Sequence, residues 1–401
     1  MPMTERSVSD KEIAYWANVR DQFLLRPEIA YLNGGIFGPC ARPVVERIAE
    51  LSELLNADVG KHMMETLGPL NEVAREKLAN FVGSHPDRIA LVLNTTMGMN
   101  LVAQGLTFKS GGEILMSKHE YPSMVALWNY VAARDGLTIR QIELPILAET
   151  KQEVLDAFTA GINDRTQLIT FCHIYYFTGL MVPARELCEM ARQNGIISVI
   201  DGAHAIGQID LNMSEIGCDF YVNSCHKWLL GPKGTGMVFI DETFQNKLHP
   251  LFVVDDLGPT PTARKYDVAG TRDQTHFAAL GTTIDFMREI GWPGRVQSYC
   301  YSLSRYLKER LHEVDGVQLT VPMGNDTSAF MTTFVIDGID LPKLSQVLWD
   351  DQIENSCPQV NGVSYLRVSV HFFNTFDEID RLIEKLKDIL SVQRDSVMET
   401  K

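Results

Sequence analysis

Between residues 89 and 240 the chain alternates short, nearly continuous apolar runs with stretches whose apolar residues recur at helical spacing. IALVLN (89–94) reads as a strand, followed by a helix from about Thr95 to Gly105. EILMSK (113–118) is a strand and MVALWNYVAARDG (124–136) a helix. TIRQIELP, TQLITFCHIYY and ISVIDGA are strands separated by the helical patterns KQEVLDAFTAGI and ARELCEMARQNG. DFYVNSCHK and GMVFID follow as closely spaced strands. Strands that are apolar throughout, alternating with helices, predict a mostly parallel sheet covered on both faces, an α/β architecture.

After about residue 285 the rhythm changes. A long helical stretch (293–314) precedes VQLTVP and AFMTTFVIDG, then a helix from Pro342, the strand SYLRVSVHFF and a last helix from Phe376. This order predicts a smaller α+β unit. Three segments are therefore expected: a helical lead-in over 1–30, a large domain over 31–285 and a small C-terminal α+β domain over 286–401. IAYLN, near the start of the large domain, is a strand-like segment.

Composition narrows the function. Apolar residues make up 45% and charged residues 22% of 401, which is ordinary globular composition. A formal net charge of −15 argues against nucleic acid or an anionic membrane surface as a partner. The start MPMTERSVSDKEIAYW has no apolar leader core, and no apolar run is of membrane-spanning length. The seven cysteines are irregularly spaced without C-x-x-C, and no histidine pattern has metal-ligand spacing. We therefore expect no disulfide framework, no metal and a cytoplasmic location. GPKGTG (231–236) lacks the spacing of a phosphate-binding P-loop.

The segment ISVIDGAHAIGQIDLNMSEIGCDFYVNSCHKWLLGPKGTG (196–236) carries the chemistry. One apolar strand ends in Asp201, and the next ends in Ser-Cys-His-Lys before a glycine-rich turn. Ligand sites of parallel α/β sheets lie at these strand ends. A lysine desolvated there has a depressed pKa and forms imines readily. An acid on the neighbouring strand can pair with a protonated pyridine nitrogen. Either residue alone is more often a solvated strand end or a turn residue; the pair at this spacing points to a cofactor site.

D-G-A-H-A-x-G through S-x-H-K-W-L-x-G-P-x-G-x-G resembles the cofactor segment of the class V aminotransferase family, fold type I. The closer likeness is to its isopenicillin N epimerase-like branch, related to cysteine desulfurases and C–S lyases. YLNGGIFGP (31–39), HEYPS (119–123), HIYYFTG (173–179), GTRDQTHFAAL (270–280) and LRVSVHFFNTFDEID (366–380) carry the resemblance in order along most of the chain.

The resemblance implies a seven-stranded large domain, pyridoxal 5′-phosphate (PLP) as cofactor and a homodimer with shared active sites. By it, Lys227 holds PLP as a Schiff base and moves protons, Asp201 meets the pyridine nitrogen, His204 supports it and His119 stacks on the ring. Thr95, Thr96, Ser224 and His226 are implied phosphate ligands, with Gly270 and Thr271 reaching the phosphate of the partner subunit. Arg367 grips the substrate α-carboxylate, near Asn33 and Gly34, and His173 contacts cofactor or substrate.

The expected activity is epimerase- or C–S-lyase-like chemistry on an amino acid of secondary metabolism, rather than true transamination. A cysteine desulfurase is the alternative, and it would need Cys357 as nucleophile; the short setting IENSCPQVNGVSYLR argues that this cysteine is incidental. A decarboxylating or bond-forming PLP enzyme is a further possibility. A non-catalytic PLP module is disfavoured, since Lys227, Asp201 and Arg367 are all present. Phe37, Met63, Met64, Tyr175, Tyr176 and Phe177 suggest an apolar substrate arm, or core packing.

Overall fold

The computed structural model describes residues 8–253, 262–267 and 270–398. Seven strands form the central sheet: β1 (Ile89–Val92), β2 (Glu113–Ser117), β3 (Thr138–Ile142), β4 (Thr166–Cys172), β5 (Ile197–Asp201), β6 (Phe220–Ser224) and β7 (Gly236–Ile240). Their spatial order is β1-β7-β6-β5-β4-β2-β3.

Alternate residues of these strands enter two different cores. Leu115, Ile169, Ile200 and Met237 face one core, while Ile114, Leu168, Val199 and Val238 face the other. Both faces of the inner strands are dry, which is why they read as unbroken apolar runs, whereas the edge strand β3 is largely exposed.

Only β7 runs against the rest, antiparallel to both β6 and β1. The 11 residues between β6 and β7 contain no helix, and a parallel return needs a longer crossover. Helix caps match the local sequence. Asn94 accepts from Met97 N–H at the start of helix Thr95–Gly105, and Thr150 and Glu153 form a reciprocal capping box before Lys151–Gly161.

The later part carries a second, antiparallel sheet in which β9 (Met331–Ile336) lies between β8 (Val317–Leu319) and β10 (Leu366–Ser369). IAYLN contributes only Ala30–Tyr31 as strand, paired in parallel with Ile353–Glu354. The first helix, Asp10–Arg20, packs on this part of the molecule. Its buried Trp16 stacks on Tyr299 at 4.9 Å and lies 5.6 Å from Phe372. Among the described residues, no helix is long and apolar enough to cross a membrane.

Candidate active site

Strands β4, β5 and β6 end side by side at Cys172, Asp201 and Ser224, and register pairs Cys172 with Asp201 directly. The cleft opens at these carboxyl ends. Its inner lobe, about 260 Å³, is lined by Thr95, Thr96, Asp201, His204, Ser224, His226 and Lys227, among others. An outer lobe of about 450 Å³ shares His204, His226 and Lys227 with it and extends to Arg367, Ser356 and Cys357.

Lys227 sits on the loop after β6, held by close backbone contacts. A Cβ on Gly38 would fall 2.0 Å from the Lys227 carbonyl oxygen, so only glycine permits this approach. Gly38 N–H donates to the His226 carbonyl at 2.8 Å. Three residues on, buried Leu230 adopts φ 64°, a left-handed conformation costing a bulky side chain roughly 1–2 kcal/mol. The surrounding packing must sustain that strain.

Burial pushes the Lys227 amine down to about 8 from its ordinary 10.5; Asp201 opposes the shift and Arg367 assists it. Asp201 is buried and its pKa is raised by burial, against the pull of the Ala203 N–H, which it accepts at 2.9 Å, and of Lys227. Lys227 Nζ lies 3.2 Å from His204 Nε2. Burial holds His204 well below the usual imidazole range, with the nearby cations Lys227 and Arg367 adding to the shift.

Thr95 and Ser224 meet at the start of helix Thr95–Gly105. Ser224 Oγ accepts from the Thr95 N–H at 2.9 Å and lies 2.8 Å from Thr95 Oγ1. Hydroxyls at a helix N-terminus suit a phosphate. His226 Nδ1 is buried without a hydrogen-bond partner beside them. An orphaned ring nitrogen, two hydroxyls and a helix N-terminus, in one lobe with an acid and an amine, fit PLP.

Arg367, on β10, is 4% exposed. Its Nη1 donates to the Tyr176 carbonyl at 2.8 Å, and its Nε is buried without a partner. Its charge is disfavoured by burial, which lowers its pKa to about 10; only the phenols of Tyr176 and Tyr121 oppose this. Among the described residues no carboxylate pairs with this buried guanidinium, which is costly, and it faces an open lobe that an anion can enter.

The remaining residues singled out from the sequence lie elsewhere. His119 is buried and turned inward, edge-on to Tyr175 and Phe177 at 5.6 and 5.2 Å, and the cleft wall there is Tyr121. Gly34 packs toward Phe373 and His371, while Gly35 lines the outer lobe. Asn33 is buried with Oδ1 unpartnered, outside both linings. His173 lies 2.7 Å from the Tyr221 hydroxyl and lines a separate cavity of about 440 Å³ with Glu186 and Asp210. Gly270 and Thr271 are exposed and line neither lobe.

Phe37 and Tyr176 belong to the cleft wall, whereas Tyr175 is buried with its hydroxyl donating to Glu120, and Phe177 packs against Tyr365. Met63 packs with Leu51 and Leu67, and Met64 is 83% exposed. Sequence reading missed Tyr121, Met124 and Cys172 as lining residues. Pro122 was an available signal, since proline in the first helical turn makes Tyr121 the residue before the helix, aimed out of the strand end.

An acid at one strand end, an amine on the loop after the next, hydroxyls at a helix N-terminus in the same lobe and a buried arginine on the adjoining lobe define a fold type I PLP site. Residues 39–382 match the family Aminotransferase class-V, and the chain belongs to it. It is a PLP-dependent enzyme acting on an amino-acid substrate. An isopenicillin N epimerase from Amycolatopsis lactamdurans is 36% identical over 394 residues, covering 93% of this chain and 98% of its own. A probable cysteine desulfurase from Methanothermobacter thermautotrophicus is 27% identical over 406 residues, covering 92% and 96%. The structure of the Escherichia coli cysteine desulfurase CsdA superposes with a TM-score of 0.83 at 21% identity, over 94% of this chain and 98% of that one.

Proposed function

We propose that the enzyme inverts the configuration at Cα of an amino acid whose side chain is bulky and partly apolar. The observation carrying this reading is Arg367, a buried guanidinium without a carboxylate partner among the described residues, on the lobe that Lys227 also lines. Arginine offers a bidentate fork to the substrate carboxylate, and Lys227 exchanges the proton at Cα. When bound, PLP supplies the electron sink for the negative charge that develops there. Lys227 is the residue that holds it covalently. Asp201 is its pyridine-nitrogen partner, and Thr95, Thr96, Ser224 and His226 hold its phosphate.

Tyr121, edge-on to Tyr176 at 5.1 Å, takes the ring-facing role that HEYPS suggested for His119. Phe37, Tyr121 and Tyr176 form the wall for the substrate arm.

Sulfur transfer is the second reading, because Cys357 lines the outer lobe. Burial pushes its thiol above the ordinary range, with Asp340 adding to the shift, which disfavours the thiolate a desulfurase needs. The 36% identity to an epimerase supports inversion.

The exposed Gly270 and Thr271 suit a homodimer in which they serve the neighbouring site. Exposed Val45, Leu54, Val59 and Met64 offer apolar surface for that contact. Seven free thiols favour the cytoplasm.

Incubation of the holoenzyme in D₂O with amino acids and S-substituted cysteines, read by chiral chromatography and mass spectrometry, tests the proposal. Deuterium at Cα with inverted configuration and an intact skeleton is expected. Release of pyruvate, alanine or a thiol would replace inversion with lysis or desulfuration.

A further inference from the structure

Trp228 follows Lys227 in the chain and is completely buried. Its indole is held between two neighbours. A Cβ on Gly35 would come 3.3 Å from Trp228 Cζ2, and the imidazole of His371 stacks on the ring at 5.7 Å and 23°. His371 is itself oriented. Its Nδ1 accepts the Phe372 N–H at 2.9 Å, so its Nε2–H donates to the Trp228 carbonyl, also at 2.9 Å.

The indole Nε1–H donates to His204 Nδ1 at 3.1 Å. An indole nitrogen can only donate, so His204 Nδ1 carries no proton, and the neutral ring has its hydrogen on Nε2. That nitrogen is the one 3.2 Å from Lys227 Nζ. With an N–H already aimed at it, the lysine nitrogen must accept through its lone pair. An ammonium there would set donor against donor.

We infer that Trp228 is a positioning residue which, by fixing His204 as the Nε2–H tautomer, holds the Lys227 side chain as a free amine ready to bond a carbonyl carbon. The inference rests on Lys227 being the reactive amine of the proposed function. The step it favours is attack of the Lys227 lone pair on an aldehyde. A C=N bond replaces C=O, and the carbonyl oxygen leaves as water with the two amine protons.

Of the other groups near Lys227, Asp201 favours its charged form and Arg367 disfavours it, while burial keeps the Cys172 thiol protonated. His226 adjoins it along the chain, its own basicity lowered by burial and by Lys227. A charge on His204 is opposed by Arg367, and by Lys227 whenever the amine is protonated, and among the described residues no carboxylate favours it. If Trp228 lost its N–H, the His204 hydrogen could move to Nδ1. Nε2 would then accept from a protonated Lys227 and stabilise the unreactive form.

The test uses the full-length chain stripped of cofactor and mixed with pyridoxal 5′-phosphate, following covalent bonding to Lys227 by rapid absorbance and by peptide mapping after borohydride reduction. Rates are taken across the titration of the amine. The indole is replaced by benzothiophene, which keeps the ring shape and removes the N–H, and separately by Trp228→Phe. Circular dichroism of the benzothiophene protein checks that the fold is kept.

The expected result is a rise of about one unit in the pKa governing bond formation, a roughly tenfold slower rate below it. His204→Gln supplies a donor to Lys227 that needs no tautomer, so on that background the benzothiophene change should leave the pKa where it is. An unmoved pKa in the benzothiophene protein, or the same shift on the His204→Gln background, overturns the inference. Covalent bonding that persists in Lys227→Ala would instead overturn the assignment of Lys227 as the reactive amine.

Discussion

Arg367→Met separates substrate binding from stability, because the two should move in opposite directions. Burial lowers the arginine from its ordinary value to about 10, so its charge costs the folded state roughly 3 kcal/mol at neutral pH. The sign follows from linkage. The folded pKa lies below the unfolded one, so wild-type stability rises as pH climbs above about 10 toward the ordinary arginine value, and below pH 10 the full penalty is present. Methionine removes the charge and keeps much of the volume. It gives up the 2.8 Å hydrogen bond to the Tyr176 carbonyl, which costs about 1–2 kcal/mol. Unfolding of the cofactor-free variant, followed by calorimetry, should therefore occur at or above the wild-type temperature.

Activity should move the other way. Losing a desolvated, charge-assisted contact costs about 2–5 kcal/mol, a fall in kcat/KM of roughly thirtyfold to a few thousandfold. A carboxylate-bearing substrate analogue should raise the melting temperature of wild type and leave the variant unmoved. A variant that melts well below wild type would show Arg367 to be a structural cation. A kcat/KM within a few fold of wild type would show that the carboxylate binds elsewhere.

Lys227→Ala should fold normally but fail to hold PLP covalently, with no modified peptide after borohydride treatment. Cys357→Ala should retain inversion within about threefold; loss of sulfide release from cysteine in this variant, measured beside wild type, would establish desulfuration instead. Lys308 is buried and donates to the Pro322 carbonyl and Ser328 Oγ at 2.8 and 2.7 Å, and burial lowers it to about 8. Its folded pKa lies below 10.5, so wild-type stability should rise between about pH 8 and pH 10.5, and urea unfolding of Lys308→Met should lack that rise.

Sequence by itself determined the order of the elements and that an acid and a lysine lie at neighbouring strand ends. Strands buried on both faces read as unbroken apolar runs, and IALV, EILMS and ISVID fall where their patterns put them. Lys227 and Asp201 were legible because strand ends of a parallel sheet converge on one edge, whatever the loops between them do. The reversed direction of β7 was readable in principle from its short connection, yet only strand pairing established it.

Which side chain faces the cleft was decided by tertiary structure. His119 and Tyr121 are two residues apart in one motif, but packing against Tyr175 and Phe177 turns the histidine inward and leaves the tyrosine on the wall. Gly35 in place of Gly34, and His173 facing a neighbouring cavity, are shifts of the same kind. The hydrogen bonds from Arg367 to the Tyr176 carbonyl and from the Trp228 indole to His204 join separate segments of the chain. Periodicity is imposed within a segment by its own backbone geometry, helical or extended. The facing of a single side chain is set by contacts between segments, which no local pattern encodes.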